Sequence, residues 1–88
     1  MMVEKTVTVK NPHGLHARPA ALFVQKASSF SSSSITVVKD GQEVDAKSIL
    51  AILSLGVEPG TTITIKADGD DAERATAELA AICEDTSI

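Results

Sequence analysis

Apolar and polar residues alternate at the start of the chain. Val3, Val7 and Val9 share one phase with Lys5, and Glu4, Thr6, Thr8 and Lys10 occupy the other. A period of two with β-branched residues predicts a strand with one buried face. "NPHG" is turn chemistry and ends it. The period then changes. From Ala17 to about Ser28, Ala20, Phe23, Val24 and Ala27 recur at helical spacing and predict an amphipathic helix. "SSFSSSS" stops that helix and reads as a solvated loop, with Phe30 as an anchor into the core.

Ile35 to Lys39 reads as a second strand. Asp40-Gly41 is a type I′ hairpin signal, so Gln42 to Asp45 is expected to run back as a third. Ser48 precedes the apolar run Ile49 to Leu55 where an N-cap belongs, and Gly56 follows it where a C′ glycine belongs. A short helix over Ile49 to Ser54 follows from this punctuation. Thr61 to Ala67 is the fourth strand, with Ile63, Ile65 and Ala67 on one face. Asp68, Asp70 and Asp71 suit the positive end of a last helix, whose buried stripe is Ala72, Ala75, Leu79 and Ile82. The order β-α-β-β-α-β-α predicts an α+β fold, with helices layered on one face of an antiparallel sheet.

The chain has 88 residues, which fits one domain over 1–88. With two Phe and no Tyr or Trp, the core must be aliphatic. A net charge of -4 without stacking side chains argues against nucleic acid and against an anionic membrane surface. A single cysteine, Cys83, leaves no internal disulfide and fits a reducing, cytoplasmic setting. It adjoins the buried stripe of the last helix and reads as a small packed hydrophobe. No signal peptide and no membrane-spanning run are expected.

Chemistry concentrates at "GLHARPA", Gly14 to Ala20. Pro19 fits within the first helical turn, where its missing N–H is not needed, so it fixes the helix start. His16 then stands at or next to the N-cap. The free amides of Ala17 and Arg18 form an anion site beside it, and the Arg18 guanidinium suits phosphate oxygens. A helix N-terminus favours a neutral ring over imidazolium. Two readings follow: a histidine that caps a helix, or an acceptor for a phosphoryl group. His13-x-x-His16 is not read as a metal site, because His13 lies in a turn and only carboxylates remain to complete a shell. Arg74, with Glu78 four residues on, reads as a surface ion pair.

The second feature is the apolar helix after Ser48. If Ile52 and Leu55 face the core, Ile49, Leu50 and Leu53 are left at least partly exposed, as a docking patch would be. The alternative is burial by neighbouring elements. Ala17, Ala21, Gln25 and Ser28 continue the face carrying Arg18 and offer the other half of such a surface. Ser48 reads as a plain cap, at a place where a phosphate would also be tolerated.

"NPHGLHARPAALFVQKA" together with "AKSILAILSLG" resembles the HPr family, the histidine-containing phosphocarriers of the bacterial sugar phosphotransferase system. The likeness covers essentially the whole chain in the same order of elements. It implies an open-faced β-sandwich of four antiparallel strands with three helices on one face. It implies a phosphoryl group that comes from phosphoenolpyruvate through enzyme I. The group would ride on Nδ1 of His16, assisted by Arg18, and pass to the A components of sugar-specific permeases. It further implies phosphorylation of Ser48 by an HPr kinase/phosphorylase, recruitment of a catabolite repressor, and a contact surface at Ile49, Leu50 and Leu53. A monomeric cytoplasmic carrier with no cofactor, rather than a free-standing enzyme, is expected. A related carrier serving nitrogen regulation or dihydroxyacetone phosphorylation is the alternative. The serine run is one residue longer than in many relatives. Gln25 and Ser28 stand where some relatives carry basic residues.

Overall fold

The first strand, β1, runs over Met2–Thr8, and its apolar phase continues into Val9, which is fully buried. Lys5 shares that phase yet stays exposed, on a strand that lies at the edge of the sheet. The computed structural model describes residues 1–88. After β1 come α1 (Ala17–Ser29), β2 (Ser33–Lys39), β3 (Gln42–Asp45), α2 (Ile49–Ser54), β4 (Thr62–Gly69) and α3 (Ala72–Glu84). The four strands form one sheet in the order β1-β4-β2-β3, and every neighbouring pair is antiparallel. Central β4 joins the two halves: Val7 faces Ile63 across one edge, and Val37 faces Ile65 across the other. The three helices cover one face, giving the α+β layering that the pattern of periods predicts and the open-faced sandwich that the resemblance implies.

The core contains Val7, Val9, Leu15, Phe23, Ile35, Val37, Ile52, Ile63, Ile65 and Leu79, all buried. Phe23 is the largest fully buried side chain, and Phe30 closes the end of α1 as an anchor. In the β2–β3 turn, Asp40 (φ 50) and Gly41 (φ 81) both adopt the left-handed region that a type I′ hairpin requires. Lys39, just before that turn, donates to the carbonyls of Leu55 (2.9 Å) and Gly56 (3.1 Å). Its charge thus satisfies the C-terminal carbonyls of α2 and fixes that helix against the hairpin.

Three expectations change. The serine run is not wholly a loop. β2 begins at Ser33, which is buried, and Lys47 holds the segment by donating to the carbonyls of Phe30 (3.0 Å) and Ser33 (2.6 Å). Asp68 does not serve the last helix. It lies within β4 and pairs with the Met1 amine at 3.4 Å. Asp71 is the N-cap of α3, but its carboxylate accepts from the Ser33 hydroxyl instead of capping the helix. The buried face of α3 is Ala72, Ala75, Thr76, Leu79, Ala80 and Cys83, with Ile82 only half-buried at its margin. α3 packs on β1 and β4, and its small side chains let the helix approach those strands closely. Glu78 links two helices, pairing with Lys26 of α1 (3.1 Å) and Arg74 of α3 (2.6 Å). The Arg74 hydrogen bond, followed by that of Lys26, holds its carboxyl below the usual range. No helix is long and apolar enough to cross a membrane.

Candidate functional site

His16 is the N-cap of α1, with extended backbone (φ -127, ψ 164). Its carbonyl accepts the first helical bond, from Ala20 N at 3.4 Å. Its side chain makes no cap hydrogen bond, so the ring is not tied to the helix start. Pro19 is buried in the first turn and needs no acceptor. The amides of Ala17 and Arg18 find no acceptor among the backbone bonds of the chain. They are the orphan donors that a helix N-terminus presents to an anion. Arg18 is exposed and enters no ion pair within the chain, which leaves its guanidinium available.

Ala17 carries an unexpected backbone. Its φ is +49, the left-handed region, in a residue with a Cβ. Such a conformation costs about 1–2 kcal/mol relative to right-handed helix. It stands directly after the histidine, where strain is commonly kept by functional sites.

The imidazole is oriented from another part of the chain. Its Nε2 lies 2.9 Å from Oε1 of Glu58. A carboxylate only accepts, so the hydrogen of the neutral ring sits on Nε2 and Nδ1 keeps its lone pair. The ring is 35% exposed and the carboxylate 67%, so the pair lies at the surface. Nothing local points to Glu58, which is 42 residues from His16 in sequence. The only sequence cue is that it opens the "EPG" turn after the short helix.

Ser48 caps α2 as its position predicts. Its Oγ accepts from Ala51 N at 3.3 Å, and the residue is half-buried. Beyond it, Ile49 (40% exposed), Leu50 (77%) and Leu53 (37%) are open to solvent, while Ile52 and Leu55 are buried. α1 packs against α2, and its Ala17, Ala21 and Gln25 are exposed as well.

The other polar candidates separate from this site. His13 is exposed in the loop, and no group of three His, Cys, Asp or Glu side chains comes together as metal ligands would. Cys83 is buried, and desolvation, reinforced by the charge of Glu84, pushes its thiol up to about 12. None of the three surface concavities is lined by His16, Arg18 or Ser48.

Residues 3–85 match the family described as "PTS HPr component phosphorylation site". The chain belongs to the HPr family of phosphocarriers. It is 51% identical over 83 residues to the HPr-like protein Crh of Halalkalibacterium halodurans, covering 94% of this chain and 98% of that protein. Among solved structures it is similar to the phosphocarrier protein HPr of Bacillus anthracis, with a TM-score of 0.90 and 51% identity over 93% of this chain and 96% of that one. An HPr dimer from Thermoanaerobacter tengcongensis also aligns, with a TM-score of 0.67 and 53% identity over 85% of this chain and 84% of that one. The relatives thus include HPr and Crh proteins, and dimeric forms among them.

Proposed function

We propose that this HPr-family protein is a phosphocarrier of the sugar phosphotransferase system. It accepts a phosphoryl group on Nδ1 of His16 from phospho-enzyme I and passes it to the A components of sugar-specific permeases. The observation that supports the reading is the 2.9 Å contact of His16 Nε2 with Glu58 at the start of α1, which favours the tautomer whose Nδ1 lone pair is free to attack. Nδ1 is the nucleophile. The Ala17 and Arg18 amides and the Arg18 guanidinium receive the dianion once it is attached. The exposed Ile49, Leu50 and Leu53, with Ala17, Ala21 and Gln25, dock the donor and acceptor proteins in turn. The protein works as a cytoplasmic monomer, carries the group without a cofactor, and turns over only with its partner enzymes.

Ser48 supports a second, regulatory use. It is half-buried at the N-cap of α2, beside the same patch, and the likeness to Crh, the catabolite repression HPr of Bacillus subtilis, favours a role in catabolite repression. Phosphorylation there would add a dianion at the edge of the docking surface and alter partner choice.

Incubation with phosphoenolpyruvate and enzyme I tests the first reading. An acid-labile gain of one phosphoryl group is expected on the wild type and not on His16→Ala. A gain that persists in His16→Ala removes His16 from the reaction. Incubation with ATP and an HPr kinase tests the second, with an acid-stable phosphate expected on Ser48.

A further inference from the structure

We infer that Glu58 is a positioning residue for phosphoryl transfer: it holds the His16 proton on Nε2 before transfer and pairs with the charged ring afterwards. The inference rests on His16 being the acceptor, as proposed above.

The loop carrying Glu58 is built to keep it in place. Its amide donates to Thr61 Oγ1 at 3.1 Å, and its carbonyl accepts from Thr61 N at 3.0 Å. Gly60 N reaches back to the Val9 carbonyl at 2.8 Å, tying the turn to the end of β1. Leu15, immediately before the histidine, donates to the Val57 carbonyl, immediately before the glutamate, at 2.9 Å. The two side chains therefore meet from backbones that are bonded one residue away on each side. The backbones are thus already set, and only the two side chains must be ordered when the ring and the carboxylate pair.

The chemistry follows from that placement. The Nδ1 lone pair attacks phosphorus, the bond from phosphorus to the phosphorylated donor breaks, and its electron pair returns to the donor. The His16 ring then carries phosphorus on Nδ1 and hydrogen on Nε2, and is positive. Glu58 already faces that hydrogen at hydrogen-bond distance, so no group must move to meet the new charge. On onward transfer the Nδ1–phosphorus bond breaks, its electron pair returns to Nδ1, and the same neutral tautomer is restored. The carboxylate also repels the phosphoryl dianion, but that charge sits on the far side of the ring and is screened by solvent, whereas the Nε2 contact is direct.

Nitrogen NMR of the unphosphorylated protein, with the ring neutral, measures the tautomer. The wild type is expected to hold the proton on Nε2. Glu58→Ala should show a larger share of Nδ1–H, and the isosteric Glu58→Gln an intermediate share. Steady-state transfer from enzyme I should then lose about two- to fivefold in kcat in Glu58→Ala, with KM for the donor unchanged, as befits one solvent-exposed charged contact. Unchanged amide spectra outside the loop establish that both variants fold. Identical tautomer shares in the three proteins overturn the inference, as does a loss confined to KM, which would make Glu58 a docking residue. If the tautomer shifts as expected but the wild type takes up no phosphoryl group, proton placement by Glu58 stands and the carrier assignment fails. If the wild type is phosphorylated but the tautomer does not shift, the carrier assignment stands and Glu58 has no such role.

Discussion

Gly14 rests directly on the backbone of Val57. A Cβ added at Gly14 would lie 2.2 Å from the Val57 carbonyl oxygen and 2.9 Å from the Glu58 Cα. The residue also has φ +66, which a side chain would strain. This close approach joins the loop before His16 to the loop of Glu58. Gly14→Ala must separate them, and is expected to cost about 3 kcal/mol or more through the combined strain and clash. Urea unfolding measures this as a lower midpoint. The His16–Glu58 contact should loosen in the same variant, seen as a shifted ring signal in the folded protein. A midpoint equal to wild type would show that the two loops are not locked.

Ser48→Ala removes the side-chain acceptor of the α2 N-cap. The bond is long at 3.3 Å, so a loss near 0.5–1 kcal/mol is expected, roughly the low end for such caps. Ser48→Asp keeps an acceptor and adds negative charge at the helix N-terminus, and should be more stable than Ser48→Ala. Thermal unfolding of the three proteins orders them. Equal stability of the wild type and Ser48→Ala would mean that the hydroxyl does not cap.

Much of this molecule is written locally. The switch of period at Ala17, the Asp40-Gly41 turn, and Ser48 with Gly56 around a short apolar run each carry their own punctuation. The elements they predict match those formed to within about two residues at most ends. Exposure of Leu50 was legible as well, because six residues of helix cannot bury apolar groups on every side. The partner of His16 was not. Glu58 reaches it through long-range packing that no local pattern records. The left-handed Ala17 was equally hidden, since alanine at a helix start announces no such backbone. The acids before α3 misled for a related reason: tertiary partners, the Met1 amine and the Ser33 hydroxyl, take Asp68 and Asp71 away from the helix end.

Asn11 is fully buried, and neither its Oδ1 nor its Nδ2 has a protein partner. An unsatisfied buried amide is costly, whereas an apolar side chain of similar shape carries no such penalty. Asn11→Leu is therefore expected to be at least as stable as wild type by urea unfolding. A marked fall in midpoint would show that the amide contributes favourably there.

Cys83 makes stability fall in alkali. Its thiol ionises near 9.0 in the unfolded chain and at about 12 when buried. Between those values the unfolded state releases a proton that the native state keeps, so the native state loses relative stability as pH rises. The contribution is complete below pH 9.0 and declines as pH climbs toward about 12. The comparison is with Cys83→Ala, which should show a shallower decline despite its lower stability from the lost volume. The native thiol should also resist alkylation at pH 8 and react freely in denaturant. Rapid alkylation of the folded protein would contradict its burial.

Leu50 separates docking from folding. It is 77% exposed at the start of α2, so replacing it removes little packing. Leu50→Lys should change stability by no more than about 0.5 kcal/mol, the usual range for surface positions. It places a charge in the middle of the apolar patch formed with Ile49 and Leu53, where a partner must exclude water. The donor KM should rise, with kcat for phosphoryl uptake preserved once the donor saturates, because His16, Arg18 and Glu58 are untouched. This is the opposite of the split expected for Glu58→Ala. The two variants together assign one residue to recognition and the other to the ring. A Leu50→Lys protein with unchanged KM toward enzyme I would mean that the donor docks elsewhere. The patch would then belong to acceptors or to the Ser48 response, which binding of a permease A component would show directly.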